Sequence, residues 1–171
     1  MKRLTLMRHA NAQWKDPQFS DFDRPLNRRG TSEAEAMARR LIELKLLPTA
    51  VLTSPARRAQ QTADIVVREL GMTGRSVRTE ESLYLAPADE ILRLIYATGP
   101  RIPHVMIVGH NPGISEVGNL LAPTLRIGEL TTAAVCSMTF DVRSWTNVTA
   151  EKLRDAVSEA PPGRLFALWA S

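Results

Sequence analysis

Short runs of apolar and β-branched residues alternate along this chain with longer stretches whose apolar residues recur every three to four positions. That alternation limits the fold more than any other feature, because strands separated by amphipathic helices build βαβ units around a largely parallel sheet. Strands are predicted at Arg3–Met7, Ala50–Ser54, His104–Val108, Ala134–Val142 and Arg164–Trp169. Ser32 and Glu35 read as a capping box that opens a helix running to about Leu46, with Ala34, Met37, Ala38 and Leu41 as its buried stripe and Pro48 as its stop. Ala59, Thr62, Ala63, Val66 and Leu70 mark a second helix ending at Gly71. Further helices are predicted over Asp89–Tyr96, from Pro112 to about Leu121, and over Lys152–Val157. Between the first strand and the first helix lies a long irregular stretch, Ala10 to Gly30, whose Trp14, Phe19 and Phe22 suggest that it folds back to line a site. Pro25 and Gly30 within it read as turn residues. With 171 residues and no linker or repeat, the expectation is one domain over residues 1–171.

Composition narrows the function classes. The net charge of +4 suits an anionic substrate, but the basic residues are dispersed and aromatics make up only 5%, so neither the basic stripe nor the stacking platform of a nucleic-acid binder is present. No apolar run approaches the roughly 20 residues that span a bilayer, and the expectation is a cytoplasmic protein without a membrane partner. The lone cysteine, Cys136, sits in the apolar run AAVCSMTF and reads as a buried strand residue. For lack of an obvious apolar seam a monomer is expected. No metal and no other cofactor are expected either: His104 and His110, six residues apart on a strand, stand roughly 20 Å from each other, and no ligand cluster accompanies His9.

Chemistry-bearing residues collect at the carboxyl ends of the predicted strands, where open α/β sheets place their sites. These are Arg8-His9, the segment Ser54–Thr62, and Gly109-His110. An arginine directly after LTLM would be costly in a core without a partner, so an anion is expected there. LMRHA (Leu6–Ala10), SPARRAQQT (Ser54–Thr62) and GHNP (Gly109–Pro112) resemble the three motifs of the histidine phosphatase superfamily, although Ala10 stands where glycine is common. Asp21 followed by RPLNRRG (Arg24–Gly30) is similar to a stretch of its SixA-type phosphohistidine phosphatase branch. The resemblance implies a three-layer α/β/α fold with a mixed, mostly parallel central sheet, phosphoglycerate mutase-like, and a covalent phosphohistidine intermediate at His9.

The residues themselves are compatible with that chemistry. Phosphoryl transfer is catalysed mainly by positioning and by stabilising charge on the equatorial oxygens. Arg8 and Arg58 would supply permanent planar clamps, His110 one more donor as an imidazolium, and His9 the nucleophile, its pKa lowered by the two guanidiniums and its second nitrogen fixed by a backbone carbonyl. Arg57 and Arg58 are consecutive at a helix start and cannot share a face; the motif register selects Arg58 and leaves Arg57 to solvent. Arg24 could add positive potential at the mouth and bind substrate. The proton donor for the leaving group is open among Asp21, Asp23, Glu80 and Glu81, with Asp21 the better match to the SixA-type stretch. A weakly defined acid favours a phosphoramidate, whose imidazole leaves readily, over a phosphate ester. The expected function is dephosphorylation of phosphohistidine on a protein partner. A small-molecule phosphomonoesterase and a non-catalytic phosphate-binding module are the alternatives.

Overall fold

A strand buried on both faces carries a near-continuous apolar run, and the two such runs in this chain lie side by side at the centre of the sheet. They are β1 (Lys2–Arg8) and, after the intervening elements, β4 (His104–Gly109), all six residues of which are buried. The structure is a computed structural model, and it describes residues 1–14 and 17–161. Between these strands come α1 (Arg28–Glu43), β2 (Ala50–Thr53), α2 (Arg57–Glu69), β3 (Val77–Thr79) and α3 (Ala88–Tyr96). After them follow α4 (Gly113–Leu121), β5 (Val135–Phe140) and β6 (Leu153–Glu159).

The six strands form one sheet in the order β3-β2-β4-β1-β5-β6. β3, β2, β4 and β1 are mutually parallel, whereas β5 and β6 continue the sheet antiparallel. Alternate residues of the central strands face opposite layers. Met7, Met106 and Val108 pack with Met37, Leu41, Ala63 and Val66 from α1 and α2, while Leu4, Leu6, Val105 and Ile107 pack with Ile91, Ile95, Ile114 and Val117 from α3 and α4. The result is the three-layer α/β/α architecture with a mixed, mostly parallel sheet that the family resemblance implies. Cys136 is a fully buried β5 residue, as expected, and burial pushes its thiol up to about 12.

Several predicted elements differ. α1 begins one turn before Ser32, because Asn27 is the cap: its side chain accepts from the Gly30 amide at 2.8 Å, while the Ser32 hydroxyl turns back to the Arg28 carbonyl. Gly30 is therefore helical, not a turn residue. Residues Lys152–Val157 are no helix. Leu153, Ala156 and Val157 mimic helical spacing, but pairing with β5 wins and residues Leu153–Glu159 form the edge strand β6. The strand β3 was not predicted, since three residues are too short to show alternation. The strand expected at Arg164–Trp169 lies outside the described residues. No helix among the described residues is long and apolar enough to cross a membrane.

Candidate active site

Parallel pairing sets the ends of β1, β2 and β4 beside one another, with Arg8 opposite Gly109 and Thr53 opposite Val108. Whatever follows each strand must converge. His9 follows β1, Ser54 follows β2 and leads into Arg58 on the first turn of α2, and His110 follows β4. The rings of His9 and His110 stand 5.1 Å apart. The loop after His9 folds back as expected, but through backbone contacts: Ala12 bridges Leu26 and the Phe22 carbonyl accepts from the Arg57 amide at the start of α2, while the Trp14 and Phe22 side chains stay exposed. Ala10, in the position where glycine is common, is fully buried and its amide donates to Thr62 Oγ1 at 3.0 Å.

The hydrogen bonds define the tautomer of His9. Nδ1 lies 2.8 Å from the Ala10 carbonyl and must donate to it, which leaves the lone pair on Nε2, where Arg58 Nε points at 3.2 Å. Its pKa is pushed down to about 4, first by burial and then by Arg58, Arg8 and Arg24, so the ring is neutral at physiological pH. Sequence reasoning credited the arginines alone. His110 is also neutral in this state, not an imidazolium: Arg58 Nη2 donates to Nδ1 at 3.3 Å, Nε2 donates to Ser54 Oγ at 2.7 Å, and burial foremost holds the pKa near 3.

Arg58 is 2% exposed, while Arg57 faces solvent. The buried guanidinium is balanced by Asp21, whose Oδ2 accepts from Arg58 Nη2 at 3.1 Å and from the Tyr84 hydroxyl at 2.8 Å. Oδ1 of Asp21 accepts from Arg24 Nη2 at 2.7 Å. Partial burial would raise the Asp21 pKa, but donation from Tyr84, Arg24 and Arg58 outweighs it and holds the carboxyl well below the usual carboxylate range. Arg24 is occupied by Asp21 and by the Gln13 carbonyl. Of the other candidate acids, Asp23 bonds Ser20, Glu80 pairs with Arg78 and Glu81 is exposed, so Asp21 alone of the four contacts Arg58. Tyr84 and Ser54 join the site without having been assigned to it. Ser54 opens the SPARRAQQT motif, whereas Tyr84, close to the candidate acids Glu80 and Glu81, carries no motif of its own.

Arg8 reaches outward from the end of β1. Its Nη1 donates to the Leu130 carbonyl at 2.8 Å and lies 3.7 Å from the exposed carboxylate of Glu129. Its Nε is buried and makes no hydrogen bond, the one such side-chain atom among the described residues. Buried donors are nearly always paired, and an anion held between Arg8 and Arg58 would give this one its acceptor. Two guanidiniums and a neutral imidazole whose Nε2 carries its lone pair toward Arg58 can hold a tetrahedral oxyanion and, once Arg58 turns to that anion, attack its centre.

Comparison with known proteins agrees with that geometry. A family model described as histidine phosphatase superfamily (branch 1) matches residues 4–84. The solved structure of a SixA protein from Agrobacterium tumefaciens, named as a phosphohistidine phosphatase, superposes with a TM-score of 0.72 at 30% identity, over 81% of this chain and 92% of that one. The chain belongs to the histidine phosphatase superfamily. A second superfamily structure, the protein histidine phosphatase SixA complexed with tungstate, gives a TM-score of 0.71 at 28% identity over 81% of this chain and 88% of that one. An uncharacterised chloroplastic protein of Arabidopsis thaliana is 32% identical over 130 residues, 71% of this chain and 59% of that protein's length. Membership together with the SixA-like neighbours indicates phosphatase activity.

Proposed function

We propose that this chain is a phosphohistidine phosphatase acting on a protein partner in a reducing, cytoplasmic compartment, with His9 as the transient phosphoryl carrier. The observation that carries the reading is the pairing of a nucleophile with a candidate acid, Asp21, that is held ionised. His9 Nε2 turns its lone pair to Arg58 Nε, a hydrogen bond that Arg58 gives up when it turns to an incoming anion, while Asp21, the candidate acid in contact with Arg58, is held ionised by Tyr84, Arg24 and Arg58. A phosphate ester must expel an alkoxide and calls for a strong proton donor. A phosphohistidine protonated on its distal nitrogen expels neutral imidazole, whose conjugate acid has a pKa near 6.5.

In the first step His9 Nε2 attacks phosphorus in line, the phosphorus–nitrogen bond of the substrate breaks, and neutral histidine of the partner leaves. Arg8 and Arg58 stabilise the charge on the equatorial oxygens. Arg58 must give up part of its bonding to Asp21 and the imidazoles to do so. In the second step water attacks the phosphoryl group on His9, its phosphorus–nitrogen bond breaks, and inorganic phosphate departs with the imidazole restored. The anion also favours protonation of His110, which would then donate to an oxygen.

Incubation of wild type and His9→Ala with a phosphohistidine protein and with simple phosphate esters tests the reading. Acid-labile phosphate should accumulate on wild type and be absent from the variant, with the phosphohistidine protein turned over faster than the esters. Full turnover by His9→Ala would overturn the mechanism. Rapid hydrolysis of esters with no action on phosphohistidine would overturn the substrate.

A further inference from the structure

Asn111 belongs to the GHNP motif but plays no part in the steps above, yet every polar atom of its side chain is engaged. Nδ2 donates to the Leu130 carbonyl at 2.9 Å and to Glu129 Oε1 at 3.0 Å, and Oδ1 accepts from the Ser115 hydroxyl at 2.6 Å. Ser115 Oγ in turn accepts from the Leu130 amide at 2.9 Å. Asn111 and Ser115 thus hold Leu130 by its carbonyl and its amide at once. The proton count closes. The serine hydroxyl gives its one hydrogen to Asn111, the amide gives both of its own, and the second lone pair of the Leu130 carbonyl is left for Arg8 Nη1.

We propose that Asn111 and Ser115 are positioning residues that aim Arg8 by clamping the Leu130 peptide, an inference that rests on the phosphoryl-transfer reading of the pocket. Arg8 emerges from a strand end on a side chain with several rotatable bonds, and only one of its nitrogens has a short anchor. That anchor fixes the direction in which the unpartnered Nε points. Leu130 lies between α4 and β5, past the short 3-10 turn Pro123–Leu125 and outside any strand or helix. α4 supplies the grip instead: besides Ser115, its Asn119 donates to the Gly128 carbonyl at 2.7 Å and accepts from the Gly128 amide at 3.2 Å. Both clamp residues are set by β4 and α4, so the third motif places His110 in the pocket and also holds the arginine of the first. Asn111 further holds the Glu129 carboxylate, which faces Arg8 at 3.7 Å and would otherwise be free to compete with an incoming anion.

The test is a double-mutant cycle read by calorimetric titration of orthovanadate, an oxyanion whose binding depends on the pocket and not on the identity of the leaving group. Asn111→Ala and Ser115→Ala should each weaken orthovanadate binding about tenfold, the weight of one hydrogen bond to a charged group. In an Arg8→Ala background the same substitutions should change it less than about twofold, because the residue through which they act is gone. A full tenfold loss that persists without Arg8, or binding by both single variants equal to wild type, overturns the proposal. Should Asn111→Ala fail to fold, the Ser115 cycle decides alone, since it acts on the same peptide. Orthovanadate binding with the expected coupling in a protein that ignores phosphohistidine would leave this inference standing and remove the proposed substrate. A wild type that binds no orthovanadate would sink both.

Discussion

Arg58 is the residue on which the pocket's other groups meet. Its donors reach His9 Nε2, His110 Nδ1 and both the backbone and the carboxylate of Asp21, so its removal would release the loop aspartate and strip the nucleophile of its neighbour. Arg57, one position earlier, points into solvent. Arg58→Ala should therefore lower turnover by at least a hundredfold, the scale for losing a group that stabilises developing charge, whereas Arg57→Ala should stay within about twofold. Steady-state rates on a common substrate compare the two directly, and equal losses would show that the register of the α2 start is misjudged. This assignment was legible in the sequence because consecutive helical residues cannot share a face and the register of the family motif selects Arg58. The protonation of His110 was not legible, since it depends on burial and on Ser54 and Arg58 meeting it from the end of β2 and from α2.

At the scale of elements, the first helix and the loop before it act as one unit. A Cβ on Gly30 would lie 1.9 Å from the Asn11 carbonyl oxygen, and that backbone stands only two residues beyond His9. The same junction is tied by Asn27 to the Asn11 carbonyl and by Glu33 Oε2 to the Asn11 amide. Gly30→Ala should cost more than about 2 kcal/mol, at the upper end for point substitutions because backbone must move, and should reduce activity beyond what the lost stability explains. Urea unfolding together with turnover measured on the folded fraction checks both; wild-type stability would show that the junction yields easily. The helical stripes and buried strands were readable from periodicity, as α2, α3, α4, β1, β2 and β4 attest. The start of α1 was missed because two polar residues, Asn27 and Ser32, competed for one cap. β6 was missed because tertiary pairing overrode a local pattern.

Across the whole molecule, all three histidines are held neutral. His104 sits at the opposite end of β4 from the site, between Thr5 and the Leu47 carbonyl, and burial pushes its pKa down to about 4. An unfolded chain takes up protons on histidine below pH 6.5, whereas the folded one does not until near pH 4. The unfolded state then binds more protons in that window, so stability falls as the pH drops through it, by about 1.4 kcal/mol per pH unit for each histidine involved. Thermal melts at pH 7, 6 and 5 should show a steadily falling Tm, and a flat profile would mean that these rings accept protons in place. The pocket also has a bearing on the order of folding. Arg58 meets His9 across 49 residues of chain, and Arg8 meets Leu130 across 122. Contacts of such separation form late, after the loop-closure entropy between them has been overcome. Recovery of catalysis during refolding would accordingly time the final docking of the Leu130 segment onto the sheet edge, and a nascent chain would remain inert until its second half had emerged.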